Sequence, residues 1–129
     1  MDALVTLLRA GYTGTAELSV TKARYQLMEY IVRSDRFSWV NDKVTGALFG
    51  YVQESWYSRG RVASDLFFYS TNGAGTALLR RFIRWGHSAN ATIAMNISSE
   101  IAPERAAKFY ERMGLKRIGT MHREAHYEH

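Results

Sequence analysis

One short segment constrains the fold more than any other part of the sequence. Val62 to Tyr69 is rich in β-branched and aromatic residues, which predicts a strand. The segment Asn72-Gly-Ala-Gly-Thr76 then interrupts the pattern, and a helix with one apolar face is predicted from Ala74 to Ser88. A strand that leads through glycines into a helix presents free backbone N–H groups at the positive end of the helix, an arrangement that binds anions. An ordinary glycine-containing turn has the same residues, so both interpretations stay open at this point.

The remaining pattern predicts an α/β chain whose sheet begins with antiparallel strands. Met1 to Ala10 is compatible with either helix or strand. Helices are predicted for Thr15 to Arg33 and for the segment from Pro103 to Gly114, where proline suits the first helical position and glycine the end. Strands are predicted for Phe37 to Asn41, Val44 to Glu54, Ala91 to Ile97 (expected to be central in the sheet) and Leu115 to Met121.

The composition limits the catalytic groups and the ligands that this chain can use. The 129 residues fit one domain, 1–129, and contain no cysteine, which excludes disulfides, thiolate nucleophiles and cysteine-ligated metals. Lysine and arginine number 17 against 12 acidic residues, and the net charge of +5 favours anionic ligands such as phosphates or nucleic acid. Thirteen of the basic residues are arginines, whose planar donors bind phosphate in pairs.

Several other signals predict nothing specific. Apolar stretches such as Val44 to Val52 are too short to cross a membrane, and Met1 to Ala10 lacks the pattern of a secretory leader, so a cytoplasmic protein is expected. His122, His126 and His129 could face one side of a helix, but we interpret them as an exposed tail and expect no metal. Arg80, Arg81 and Arg84 beside Trp85 are interpreted as a solvated helix face rather than a nucleic-acid surface.

A second motif identifies a family. The segment Ala106-Ala-Lys-Phe109-Tyr110-Glu111-Arg-Met-Gly114-Leu115 closely resembles the last conserved block of the GNAT superfamily of acyl-CoA N-acyltransferases, usually Ala-x-x-Phe-Tyr-Glu-x-x-Gly-Phe. Gly73-Ala-Gly75-x-x-Leu-Leu79 resembles the pyrophosphate loop and helix of that family, in the right order and separation. The resemblance covers roughly Val44 to Met121. The short form with Ile97-Ser-Ser-Glu-Ile101 looks like phage-encoded members.

The resemblance implies a mixed, largely antiparallel sheet, flanked by helices, in which two central strands splay apart. In this chain they would be Val62 to Tyr69 and Ala91 to Ile97, with the pantetheine arm of acetyl-CoA lying in the gap. Tyr110 matches the tyrosine that protonates the departing CoA thiolate. The implied cofactor-binding residues are Phe67, Phe68 and Tyr69 against pantetheine, Asn72, Gly73, Ala74, Gly75 and Thr76 against the pyrophosphate, and Arg80 and Arg105 near the phosphates.

Direct attack of an amine on a thioester also needs a group that removes a proton from the amine. Asp65 and Glu54, both on predicted strands beside the gap, are the candidates, although a solvated or ion-paired carboxylate is the alternative for each. The predicted function is transfer of an acetyl group from acetyl-CoA to an amine of a small molecule or protein. The sequence does not decide whether the protein forms a homodimer.

Two departures from the family pattern favour a different class of function. Ser70 stands where the family usually has arginine or glutamine, and Pro103 stands where it usually has an asparagine that contacts the cofactor. The alternative is therefore a GNAT-fold phage protein with a degenerate cofactor site that acts by binding a host or virion protein. A basic RNA-binding module is a third, weaker hypothesis.

Overall fold

The computed structural model describes residues 2–12, 17–55, 59–71, 73–96 and 103–116. These residues form helices on both faces of a sheet. The helices are α1 (Asp2–Gly11), α2 (Val20–Val32), α3 (Gly75–Ser88) and α4 (Pro103–Arg112). The strands are β1 (Arg36–Val40), β2 (Gly46–Glu54), β3 (Arg61–Ser70) and β4 (Ala91–Ala94).

The sheet of the described residues has the order β1-β2-β3-β4. The β1–β2 and β2–β3 pairs are antiparallel, whereas β3 and β4 are parallel and are connected through α3. The Asn41 side chain closes the first hairpin, because its Oδ1 accepts hydrogen bonds from the backbone N–H groups of Thr45 at 2.8 Å and Gly46 at 2.9 Å.

Strand β2 lies between two apolar layers. Its first five residues, Gly46 to Gly50, are all buried. Because alternate side chains of a strand face opposite sides, Ala47 and Phe49 pack against α1 and α2, while Leu48 packs with α3. The buried residues of the α3 side are Phe37, Leu48, Ala63, Leu78, Leu79, Phe82, Ala91 and Tyr110.

A glycine in β2 allows α3 to approach the sheet closely. A Cβ atom at Gly50 would overlap Cε1 of Phe82 and would lie 2.8 Å from the backbone oxygen of Ser64. Phe82 is fully buried and also packs edge-on against Phe37, with 5.3 Å between ring centroids. The contact between Gly50 and Phe82 therefore sets the spacing between α3 and the sheet.

The predicted mixed, largely antiparallel sheet with flanking helices is confirmed, with several corrections to element bounds. Helix α2 begins at Val20 rather than Thr15, because the Ser19 side chain accepts the N–H of Lys22 and caps the helix there. The first hairpin turn extends to Thr45, two residues further than predicted, and Val44 adopts a positive φ of 53°.

Three predictions concern the later part of the chain. Strand β4 ends at Ala94, earlier than predicted. It is last in the order of the described strands, and its central position in the sheet stays a prediction. The strand predicted from Leu115 to Met121 lies mostly outside the described residues. Helix α4 begins at Pro103 as predicted, and Gly114 follows its end with a φ of 91°. No helix in the described ranges is long and apolar enough to span a membrane.

Gly50→Ala is expected to lower the free energy of unfolding by about 1–3 kcal/mol, because the added methyl group has no space between Phe82 and the backbone of β3. Urea denaturation monitored by circular dichroism measures the change. Gln53→Ala, at an exposed position of the same strand, is the control and is expected to stay within about 0.5 kcal/mol of the original protein. Equal stabilities of the two variants would contradict the proposed packing limit.

Candidate active site

A cleft of about 760 Å³ lies where the end of β3, the start of α3 and one face of α4 meet. We call it the main cleft. Its lining residues come from these three elements and the loop between β3 and α3: Phe68, Tyr69, Ser70, Thr71, Gly73, Gly75, Thr76, Arg105, Ala106, Lys108, Phe109, Tyr110 and Arg112. The volume lies within the range usual for pockets that bind small molecules or cofactors.

The loop that precedes α3 is anchored to the first hairpin. The backbone N–H and the hydroxyl of Thr71 both donate to the carbonyl oxygen of Thr45, at 2.7 and 3.0 Å. Gly73 has a φ of 77°, a conformation that side chains disfavour, and no described residue beyond its chain neighbours has an atom within 4 Å of the Cβ position it lacks. The chain therefore turns through Gly73 beside open space in the main cleft.

The first turn of α3 presents backbone N–H groups to this region. The residue at the N-cap position is Ala74, and no side chain accepts a hydrogen bond there. Gly75 is buried against the loop, since a Cβ atom at this position would lie 2.7 Å from Oγ of Ser70. Backbone donors and the positive end of the helix dipole thus meet at one wall of the cleft, which favours an anion.

Another part of the lining is aromatic and lies beside Gly75, since a Cβ atom there would be 3.5 Å from Cζ of Phe68 and 3.6 Å from Cζ of Phe109. Tyr110 is only 6% exposed, and its ring lies 6.4 Å from that of Phe68 and 5.8 Å from that of Phe109. The N–H of Leu115 donates to the carbonyl oxygen of Tyr110 at 2.9 Å, so the end of α4 is also held. A phenol is therefore fixed on α4, in the same lining as Gly73 and Gly75.

The charged side chains that line the main cleft among the described residues are all cationic. Arg105, Lys108 and Arg112 line it, and no carboxylate does so among the described residues. A second cleft of about 430 Å³, here called the basic cleft, lies alongside and is lined by Arg80, Ile83, Arg84, His87, Arg112 and Met113. Arg112 borders both clefts. The electrostatic field of this face favours an elongated anionic ligand.

Most of the predicted cofactor-binding residues lie together. Those that line the main cleft are Phe68, Tyr69, Gly73, Gly75, Thr76 and Arg105, together with the predicted acid Tyr110. Ala74 lies between the two glycines, and Arg80 lines the basic cleft instead. The side chain of Phe67 packs on the opposite face of the sheet, beside the core formed with α1 and α2. Asn72 is outside the described residues. The role of each residue in cofactor binding stays a prediction.

The two candidate bases do not line the main cleft. Glu54 is exposed at the end of β2, where its backbone is in register with that of Arg61. Asp65 lies in β3, and its Oδ1 accepts a hydrogen bond from the backbone N–H of Asn96 at 3.1 Å. Burial raises the pKa of the Asp65 carboxyl above its usual value, partly offset by the hydrogen bond from Asn96. Their roles as bases stay predictions.

The sequence analysis missed two cationic residues of the cleft. Lys108 and Arg112 accompany Arg105 because positions i, i+3 and i+7 share one face of α4. That spacing was visible in the sequence and could have identified them. The histidines near the end of the chain, His122, His126 and His129, are outside the described residues. Among the described residues, no group of three metal-ligating side chains is close enough to bind a metal ion.

Comparison with solved structures finds the same arrangement of helices and strands in acetyltransferases. An aminoglycoside acetyltransferase from an uncultured soil metagenomic sample, in complex with trehalose, is 16% identical, with a TM-score of 0.68 over 98% of this chain and 88% of that chain. Glucosamine-6-phosphate N-acetyltransferase from Arabidopsis thaliana is 11% identical, with a TM-score of 0.69 over 94% and 87%. An acetyltransferase from Trypanosoma brucei is 15% identical, with a TM-score of 0.68 over 96% and 91%.

The chain has the fold of these acetyltransferases. The fold expected from the motif around Tyr110 is thereby confirmed. No protein-family model and no curated protein sequence matches the chain. Because one fold supports several functions, the chemistry has to be argued from the site itself.

Asp65→Asn is expected to change how stability depends on pH. Because the pKa of Asp65 is raised above 3.8, the folded protein binds this proton more tightly than the unfolded chain does. The difference in unfolding free energy, original protein minus variant, should therefore fall as pH rises from about 3.8 through the raised pKa. Urea unfolding between about pH 2.5 and 7 measures this difference.

Asp35→Asn provides a control of opposite sign. Arg33 bonds to the exposed Asp35 carboxylate at 2.6 Å and lowers its pKa below 3.8, so the corresponding difference should rise with pH in the range below that value. A difference for Asp65 that rises with pH would contradict the effect assigned to its burial.

Proposed function

We propose that this protein is an N-acetyltransferase that transfers the acetyl group of acetyl-CoA directly to an amine. The observation that supports this most is the main cleft, in which the glycine loop before α3 and the phenol of Tyr110 face the same space. The first feature suits the phosphates of the donor, and the second suits its thioester end. The fold shared with acetyltransferases agrees with both.

The donor would bind through its charge and its length. The uncapped first turn of α3 offers backbone N–H donors to a diphosphate, as helix N-termini do in many phosphate sites. Arg105 and Lys108 on α4 add positive charge nearby. The apolar surface of Phe68 and Phe109 suits the less polar arm of the same molecule.

In the reaction, the nitrogen of a neutral amine attacks the thioester carbonyl carbon. The tetrahedral intermediate then collapses, the C–S bond breaks, and the electron pair leaves on sulfur as a thiolate. Tyr110 would donate its phenolic proton to that sulfur, and the proton lost from the amine would pass to water or a base. The chain contains no cysteine, so no cysteinyl acyl-enzyme lies on this path.

Amino sugars are the first acceptor class to test. One structural neighbour is named an aminoglycoside acetyltransferase, and another is named for glucosamine 6-phosphate. Both names describe primary amines on sugar rings. The phage subclass expected from Ile97-Ser-Ser-Glu-Ile101 stays a prediction, since these residues are outside the described part of the chain.

Calorimetric titration with acetyl-CoA tests the proposal, and a Kd in the micromolar range is expected. Turnover is then followed by released CoA thiol, using a thiol-reactive dye and a panel of amino sugars. The lack of cysteine removes the protein's own thiol background from this assay. If no binding is detected at millimolar acetyl-CoA, the proposal is wrong.

Gly73→Asp is expected to weaken acetyl-CoA binding by about tenfold or more, because a carboxylate would lie beside the bound phosphates. Gly114→Asp is a matched control. Both glycines have positive φ angles, 77° and 91°, and open space at the Cβ position, but Gly114 does not line the main cleft. Calorimetry on both variants separates charge repulsion from backbone strain, and equal affinities would argue against a phosphate site at the loop.

Tyr110→Phe is expected to lower kcat by about 10²-fold while leaving the Kd for acetyl-CoA nearly unchanged, since only the proton donor is removed. Tyr51→Phe is the control, because Tyr51 packs on the opposite face of the sheet beside α1 and α2. Steady-state kinetics with an accepted amine measure the change. Equal kcat values in the Tyr110 variant and the original protein would show that the phenol is not the acid.

Ser70 favours a second candidate function. Its short side chain lies against Gly75 at the loop, where the family usually has a long polar side chain. A protein that kept the fold but lost donor binding, and that acts by binding another protein, would have such a loop. The same calorimetric titration decides between the two candidates.

A further inference from the structure

Strands β3 and β4 separate at a defined point. Their parallel pairing covers four residue pairs and ends at Ser64 and Ala94. Strand β3 then continues to Ser70 without β4 beside it. The residues beyond the end of this pairing include Phe68, Tyr69 and Ser70, which line the main cleft. The geometry of the cleft therefore depends on how this separation is held.

Asp65 is the first residue of β3 after the pairing ends. At this position the hydrogen bond is made by a side chain instead of by backbone pairing. Oδ1 of Asp65 accepts the backbone N–H of Asn96 at 3.1 Å. A carboxylate group extends further from its backbone than a peptide carbonyl oxygen does. The bond consequently keeps the chain after β4 attached to β3 while leaving a wider space than backbone pairing would.

The next residue of β3 bends the strand. Phe49 of β2 pairs with Phe67, whereas Gly50 pairs with Asp65, so Leu66 is the extra residue of a β-bulge. Bulges increase the twist of a strand and redirect it. The bond from Asp65 to Asn96 lies between the end of the β3–β4 pairing and this bulge. At this position the Asp65–Asn96 hydrogen bond can limit how far β3 and β4 diverge.

We propose that Asp65 is a positioning residue, whose hydrogen bond to Asn96 fixes the separation of β3 and β4 and so keeps the main cleft open for the acyl donor. The inference rests on the proposed function for its link to the donor. It differs from a role as a general base. A positioning residue needs only an oxygen acceptor, whereas a base needs an ionisable group.

Three observations favour positioning over proton transfer. Asp65 does not line the main cleft. Its oxygen already accepts a backbone N–H. Its pKa is shifted by burial and by hydrogen bonds from backbone N–H groups rather than by a charged side chain of the described residues.

Asp65→Asn and Asp65→Leu separate the two roles. Asparagine keeps an oxygen acceptor of the same reach but cannot take a proton, whereas leucine has a similar volume and no acceptor. We expect the asparagine variant to retain kcat, KM and the pH profile of kcat within about twofold. In the leucine variant we expect KM for acetyl-CoA to rise by about tenfold, as the loss of the hydrogen bond to Asn96 implies, with a smaller change in kcat. Asp42→Asn, at an exposed turn, is the control.

Amide hydrogen exchange at Asn96 tests the bond without any activity. Its N–H should be protected in the original protein and in Asp65→Asn, and should exchange at least about tenfold faster in Asp65→Leu. Asp65→Ser, with a shorter hydroxyl acceptor, replaces the leucine variant if that variant fails to fold, and it should also expose the amide.

The outcomes separate this inference from the proposed function. An asparagine variant that loses kcat while keeping Asn96 protected would overturn positioning in favour of a base. A folded leucine variant with unchanged KM would overturn it as well. If the original protein does not bind acetyl-CoA, the proposed function fails, and the exchange rates alone decide whether Asp65 holds the strands.

Discussion

The approach of α3 to the sheet at Gly50 constrains the side of the molecule that carries the main cleft. Phe82 occupies the space that a side chain at position 50 would need, so the axis of α3 lies close to β2. The N-terminus of the same helix is thereby held beside the end of β3. The loop through Gly73 is a consequence of this placement, because it has to connect a strand to a helix that starts almost at once. The wall of backbone N–H groups at the start of α3 is therefore positioned by core packing.

The aromatic residues of the cleft are held in place by the same buried core. Tyr110 belongs to the buried cluster that contains Leu78 and Phe82, although its ring also borders the cleft. The residues that would act on a ligand are thus fixed by residues that never touch it. Such placement reduces the conformational freedom that a catalytic side chain would otherwise lose on binding.

Local patterns predicted the elements well where one physical signal dominates. The apolar stripe of α3, the proline and glycine at the ends of α4, and the strand that precedes Gly73 all follow from side-chain periodicity and backbone preference. The start of α2 was predicted too early, because the capping bond of Ser19 outweighs the helical pattern before it. Strand β4 was predicted too long, and the hydrogen bond between Asp65 and Asn96 just beyond its end is a long-range contact that residue spacing does not reveal.

The uncapped start of α3 has a thermodynamic consequence. A helix N-terminus without a capping side chain forgoes about 1 kcal/mol of stabilisation that serine or aspartate would provide. An anion bound there would supply the missing acceptor to the folded chain but not to the unfolded one. Binding and folding are then linked equilibria, and the ligand's affinity includes stability that the empty helix lacks. An anion bound beside Ala74 would thus stabilise the folded chain by an amount that rises with the anion's concentration.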